Sequence, residues 1–102
     1  MNIAKMLKEA QRMQERMAEA QSELAERTLE ASSGGGKVKV TATGAGDIVS
    51  IKIDPQVVDP QDVEFLEDLV LTAVKQALND AKDLAGSEMG KLTGGLKIPG
   101  LS

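Results

Sequence analysis

Apolar residues at Ile3, Met6, Ala10, Met13, Met17, Ala20 and Leu24 recur at intervals of three and four. That is a heptad seam, with Ile3, Ala10, Met17 and Leu24 at a and Met6, Met13 and Ala20 at d. No Gly or Pro interrupts residues 2–26, so the spacing predicts one helix there. Asn2 is placed to cap its start, and at 1.5 Å per residue it runs roughly 36 Å. The stripe is narrow and rich in Ala and Met, with Leu7 widening it at one end. Such a seam suits a partner helix better than the broad face of a globular core.

The period then changes to two. Val38, Val40 and Ala42 alternate with Lys37, Lys39, Thr41 and Thr43, and Val49, Ile51 and Ile53 alternate with Ile48, Ser50 and Lys52. Gly44-Ala45-Gly46-Asp47 between them reads as a hairpin turn. Upstream, Arg27-Thr28-Leu29-Glu30-Ala31-Ser32 alternates as a further strand, with Ser33-Gly34-Gly35-Gly36 as its loop. Residues 27–54 are therefore expected to form a three-stranded antiparallel meander with one apolar and one polar face. Asp54-Pro55 ends it, because Pro donates nothing to the ladder.

A second helix is expected over 59–86, with Asp59 as N-cap and Pro60 at its first position. Its apolar positions, from Val63 through Leu66, Leu69, Val70, Ala73, Val74, Ala77, Leu78 and Ala81 to Ala85, make a wider face that can cover the sheet. Gly86 ends this helix, or the helix runs on to about Leu92. Residues 87–102 form a Gly-rich tail that does not fold alone and is either free or laid against a neighbour. The whole is one α+β domain in the order α-β-β-β-α. A sheet this small cannot bury two helices of such length, so a homodimer is expected, through helix pairing, sheet-face contact or exchange between protomers. Ile3, Met6, Met13, Met17 and Leu24 are the seam residues expected at its interface.

Composition narrows the chemistry. The chain has 102 residues, 41% of them apolar, with 12 basic and 16 acidic residues, net charge −4, one aromatic residue (Phe65), and no His or Cys. Without Cys there is no disulfide, thiolate nucleophile or zinc-thiolate site. Without His the commonest general base and metal ligand is missing. No apolar run nears the roughly 20 residues of a membrane span, and the mixed-charge N-terminus is no secretory signal. The expectation is a cytoplasmic protein that is not an enzyme and takes no cofactor, metal or small-molecule substrate. Gly34-Gly35-Gly36-Lys37 is no phosphate loop, because it leads into a strand and not a helix. Glu64, Glu67 and Asp68 are acids in the first turns of a helix, where the dipole favours them.

The first helix is more informative. Lys5, Lys8, Arg12 and Arg16 stand against Glu9 and Glu15 in its first half, whereas Arg27 alone opposes Glu19, Glu23, Glu26 and Glu30 further on. Cations at a helix N-terminus oppose the dipole. A local rule broken without local gain points to function. Spaced by three, four and four, these cations form a row on one surface. The row reads either as a solvated flank of the seam or as a grip for the phosphates of a polyanion.

Several segments together resemble the YbaB/EbfC family of bacterial nucleoid-associated proteins. They are Gly34-Gly35-Gly36-Lys37-Val38-Lys39-Val40-Thr41, then Gly44 and Gly46, Ser50-Ile51-Lys52-Ile53-Asp54-Pro55, Leu66-Glu67-Asp68-Leu69-Val70, and Thr93-Gly94-Gly95-Leu96 with Pro99-Gly100. The resemblance implies a tweezer-like homodimer whose long helices project from a shared sheet. It implies binding of double-stranded DNA in the nucleoid, largely without sequence specificity, with effects on DNA compaction and gene expression. It places Lys5, Lys8, Arg12 and Arg16 on the DNA-facing arm, with Lys82, Lys91 and Lys97 as further candidates near the second helix end and tail. The alternative is a protein-interaction module that docks a partner through the Ala/Met seam and the tail. Against DNA stands the acidity of the second helix, where Asp59, Asp62, Glu64, Glu67, Asp68, Asp80 and Asp83 face only Lys75 and Lys82.

Overall fold

Asn2 opens the folded chain in a computed structural model that describes residues 2–93. Its backbone is extended and its side-chain oxygen accepts the Lys5 N–H at 3.2 Å. That cap satisfies one of the unpaired donors at the start of α1, Ile3–Glu26. At the other end the Arg27 N–H closes onto the carbonyls of Glu23 and Leu24. Arg27 is extended (φ −82°, ψ 138°), so the chain passes without a loop into the sheet.

The strands are β1 (Thr28–Ser33), β2 (Val38–Thr43) and β3 (Ile48–Ile53), antiparallel in the order β1-β2-β3. Gly34, Gly35 and Gly36 all have positive φ in the first connection, a conformation open to Gly without a Cβ penalty. In the second, the Gly46 N–H bonds to the Thr43 carbonyl at 3.0 Å. The register sets Val38 opposite Ile53 and Val40 opposite Ile51, then slips, so that Ala42 faces Ile48. Strict alternation along residues 48–53 is thus broken by a bulge at Val49, which brings Ile48 and not Val49 into line with the β2 core residues.

Pro55–Val57 forms one 3₁₀ turn, capped by Asp54 through the Gln56 N–H at 2.8 Å. The second long helix, α2, spans Val63–Thr93. It begins three residues later than the Asp59-Pro60 pair suggests. Asp59 instead caps a turn: its side chain accepts the Gln61 N–H and its carbonyl accepts the Asp62 N–H, both at 2.9 Å. Pro is as well suited to the second place of a turn as to the first turn of a helix. The helix cap is Asp62, which accepts the Phe65 N–H at 3.3 Å. α2 also runs through Gly86 to Thr93, so the first part of the expected tail, 87–93, is helical. A helical Gly costs only about 1 kcal/mol relative to Ala, and contacts of Glu88 with Arg27 and Lys91 hold these turns.

α2 lies over β1 and β2. Ala73, Ala77 and Ala81, one turn apart, are fully buried there and let the helix backbone approach the sheet closely. Under them sit Ala31, Val38, Val40 and Ala42, flanked by Leu29, Val57, Leu66, Leu69, Val70 and Val74. The Ser33 hydroxyl donates to the Leu69 carbonyl at 2.6 Å and pins the end of β1 to the helix. The molecule is long and thin, 71 × 28 × 16 Å.

Candidate nucleic-acid interface

α1 is fastened at one end. Leu24 is its one buried residue, 3% exposed. It fits against Gly44, where a Cβ would lie 2.8 Å from the Leu24 carbonyl oxygen and 2.9 Å from its Cδ2. The Gly44 N–H meanwhile bonds to the Arg27 carbonyl at 3.0 Å. Gly44 is a contact requirement, since only a residue without a Cβ lets the helix end approach the β2–β3 turn this closely.

Along its second half α1 runs beside the end of α2. Arg16, Glu19, Ala20 and Glu23 line a crevice with Glu88, Lys91 and Leu92. Glu88 accepts from the Arg27 guanidinium at 3.1 Å and from the Lys91 ammonium at 3.3 Å. Those bonds, Lys91 first, hold its carboxyl below the usual carboxylate range. Asp54 is likewise lowered, first by the Gln56 amide and then by Lys37.

Beyond this crevice none of the described residues covers α1. Residues 2–12 are all exposed, with Ile3 at 66%, Met6 at 56% and Leu7 at 61%. Lys5, Lys8 and Arg12 lie on this stretch and Arg16 at its base. None of the four makes an ion pair among the described residues. The first turn of α1 holds no acid and its last turn no base, so the charge asymmetry opposes the dipole as the sequence indicated.

The other expected site residues are scattered. Lys82 is exposed on α2, Lys91 is tied to Glu88, and Lys97 lies outside the described residues. Of the seam, Ile3, Met6 and Met17 are exposed, Met13 is half-buried, and Leu24 belongs to the interior of its own protomer. Among the described residues no three acids converge as a metal-binding group, and no helix is long and apolar enough to cross a membrane.

One surface escaped the sequence reading. α2 covers β1 and β2 but leaves β3 open. Ile53 and α2 residues Leu66, Glu67, Val70, Leu71 and Val74 border an apolar groove of about 400 Å³. Ile48, Ile51 and Ile53 are each about two-fifths exposed beside it, and Leu71 half-exposed. The signal was the breadth of the apolar face of α2, wider than two strands can cover.

The chain is similar to other proteins over nearly its whole length. The model of the YbaB/EbfC DNA-binding family matches residues 1–96. A nucleoid-associated protein of Pelotomaculum thermopropionicum is 54% identical over 98% of this chain and 95% of its own. One from Thermoanaerobacter pseudethanolicus is 57% identical over 98% of this chain and 90% of its own. A crystal structure of an uncharacterized protein from Helicobacter pylori superposes with a TM-score of 0.81, covering 90% of this chain and 97% of that one; at 17% identity the likeness is one of fold. The match over residues 1–96 is to a family of DNA-binding proteins, and this chain belongs to it: the YbaB/EbfC DNA-binding family.

Proposed function

We propose that the protein binds double-stranded DNA in the nucleoid as a homodimer, gripping phosphates with the projecting halves of its two α1 helices and reading no base sequence. The supporting observation is that residues 2–12 are exposed throughout and carry Lys5, Lys8 and Arg12 free of ion pairs among the described residues. Long cationic side chains on an exposed rod bind a phosphate backbone by releasing its counterions, whatever the bases. Arg16, at the base of the rod, extends the row, and Lys82 and Lys97 are accessory cations. Lys91 contributes by exchanging its partner Glu88 for phosphate. DNA held by two such arms is clamped or bridged, and through this the protein alters nucleoid organisation and gene expression.

The joint between two copies is assigned to the groove between β3 and α2, with β3 edges facing each other. Among the described residues it is an apolar groove of about 400 Å³ left open beside β3, and its occupation removes an exposed strand edge. Ile3, Met6, Met13 and Met17 then serve a second, narrower contact where helices of the two arms meet. The exposure of Ile3, Met6 and Met17 also favours a second reading, in which this seam docks a helix of another protein.

The test is a gel retardation of duplex DNA together with a solution mass. Lys5→Glu with Arg12→Glu is expected to abolish retardation while the mass stays that of a dimer. Four to six phosphate contacts require affinity to fall with salt at a slope near −0.9 per contact. A flat salt response removes the clamp, and capture of one defined protein partner, lost in Met6→Asp with DNA binding unchanged, favours the second reading.

A further inference from the structure

The face of the sheet turned away from α2 carries charges that the fold does not use. Along β2, Val38, Val40 and Ala42 go beneath α2, and the intervening Lys39, Thr41 and Thr43 stand on the opposite side. Cross-strand partners share a face, so Ser32 and Glu30 of β1 and Lys52 and Ser50 of β3 stand with them. Lys39 faces Lys52 directly. Like charges opposed across an antiparallel pair repel and weaken the sheet. Neither lysine makes an ion pair among the described residues. Glu30 is opposite Thr41, one row away, and pairs with neither. Across the sheet, α2 carries Glu64, Glu67, Asp68, Asp80, Asp83 and Glu88.

What relieves such a pair is an anion from outside. Both lysines are exposed, their Cβ atoms about 5 Å apart by strand geometry. Hydroxyls of Ser32, Thr41 and Ser50 flank them in the same two rows. Lysine with serine and threonine hydroxyls is a donor set that holds phosphate oxygens and leaves bases unread. α2 packs on the other face of β1 and β2.

We propose that this open face is a second contact for the phosphate backbone of duplex DNA, with Lys39 and Lys52 as its cations. The inference rests on the reading that the protein binds DNA, and it extends the contact from the arm to the body. Such a body contact places the duplex against the sheet as well as along α1.

The test is a fluorescence-anisotropy titration of the full chain with a labelled duplex at several salt concentrations. Lys39→Gln with Lys52→Gln is expected to weaken binding roughly tenfold and to lower the salt slope by about 2, near one unit per lost phosphate contact. Lys39→Arg with Lys52→Arg restores both, and Lys75→Gln on the acidic face of α2 changes neither. An unfolding midpoint no lower than that of the parent, as relief of repulsion requires, shows that the double Gln variant is folded. If that variant binds with the parent's affinity and slope while Lys5→Gln with Arg12→Gln still loses binding, the sheet contact is overturned and the arm reading stands. If the parent chain itself does not bind the duplex, both fall together.

Discussion

α1 and α2 are both long amphipathic helices, yet they occupy opposite environments. α2 buries Ala73, Ala77 and Ala81 completely and packs along two strands. α1 buries Leu24 alone and leaves its first ten residues uncovered. The difference lies in side-chain size and continuity. Alanines a turn apart let α2 sit close on the Ala and Val side chains of β1 and β2. The Ile and Met side chains of α1 hold a seam at helical period but meet no sheet, because Arg27 turns the chain directly from helix into strand. Stability therefore resides in the body, and α1 is displayed from it as an arm.

The sharpest way to break this contrast is to cut equivalent groups from both regions. Val40 has no exposed surface, and Val40→Ala is expected to cost about 2–3 kcal/mol. By the usual scaling of a domain this size, that lowers the thermal midpoint by roughly 10–20 °C. Met6→Ala removes more atoms from the arm and is expected to change stability by less than about 0.5 kcal/mol. Urea unfolding of the two variants checks both numbers. A loss above about 2 kcal/mol for Met6→Ala instead means that the contact between the two arms is broad and packed as tightly as the body.

Next in size is the fastening between the regions. Gly44→Ala forces a Cβ to within 3 Å of the Leu24 backbone and side chain. Overpacking of this kind is expected to cost about 1–3 kcal/mol, and the strain is local to the helix end. Amide exchange is the discriminating readout: protection at Gly44 and Arg27 is expected to fall while the β1–β2 ladder stays protected. Uniform loss of protection across the sheet shows that arm and body unfold as one unit.

The body was legible in the sequence and the way its parts face was less so. Period-two runs around Val38, Val40 and Ala42 located β2, because burial under a helix imposes strict alternation. β3 failed that logic at Val49, where a bulge depends on pairing partners that no single strand encodes. Asp59-Pro60 carried a helix-start signal that a turn satisfied equally well, and Asp62 supplied the real cap. The cationic row of α1 was readable because its spacing is local and its sign opposes the helix dipole. The groove beside β3 was not, since it depends on α2 lying over β1 and β2 and away from the third strand. The Lys39–Lys52 pairing needed the register, which fixes one residue opposite another across a turn.

Smaller still is a stabilising change. Gly86 and Gly90 are helical, and an added Cβ meets nothing within 4 Å at either position. Replacing each by Ala is expected to add about 0.5–1 kcal/mol by restricting the unfolded chain. Helical circular dichroism should rise or hold, and the urea midpoint should increase. A decrease in either variant means that a neighbouring chain approaches α2 closely there, which would bring the end of α2 into the assembly alongside the groove.

The smallest effect concerns the tie between the base of the arm and the end of α2. Glu88 accepts from Lys91 and Arg27, and both bonds favour its ionised form, so its folded pKa lies below the ordinary value of 4.5. The unfolded chain then binds the proton more readily than the folded one. Its contribution is present above about pH 4.5 and is lost as pH falls through the lower folded value. The pair is exposed to solvent, so the slope of stability with pH is shallow and flattens further with salt. Carboxyl chemical shifts measured against pH resolve it: Glu88 is expected to titrate below 4.5, to move up most in Lys91→Ala, and to move up less in Arg27→Ala. The Arg27→Ala arm is the informative one. Lys91 lies one turn from Glu88 on the same helix and holds it wherever that helix points, whereas Arg27 reaches it only if α2 returns to the foot of α1. A Glu88 titration unchanged by Arg27→Ala would detach the last turns of α2 from the arm and leave α1 fixed by the Leu24–Gly44 contact alone.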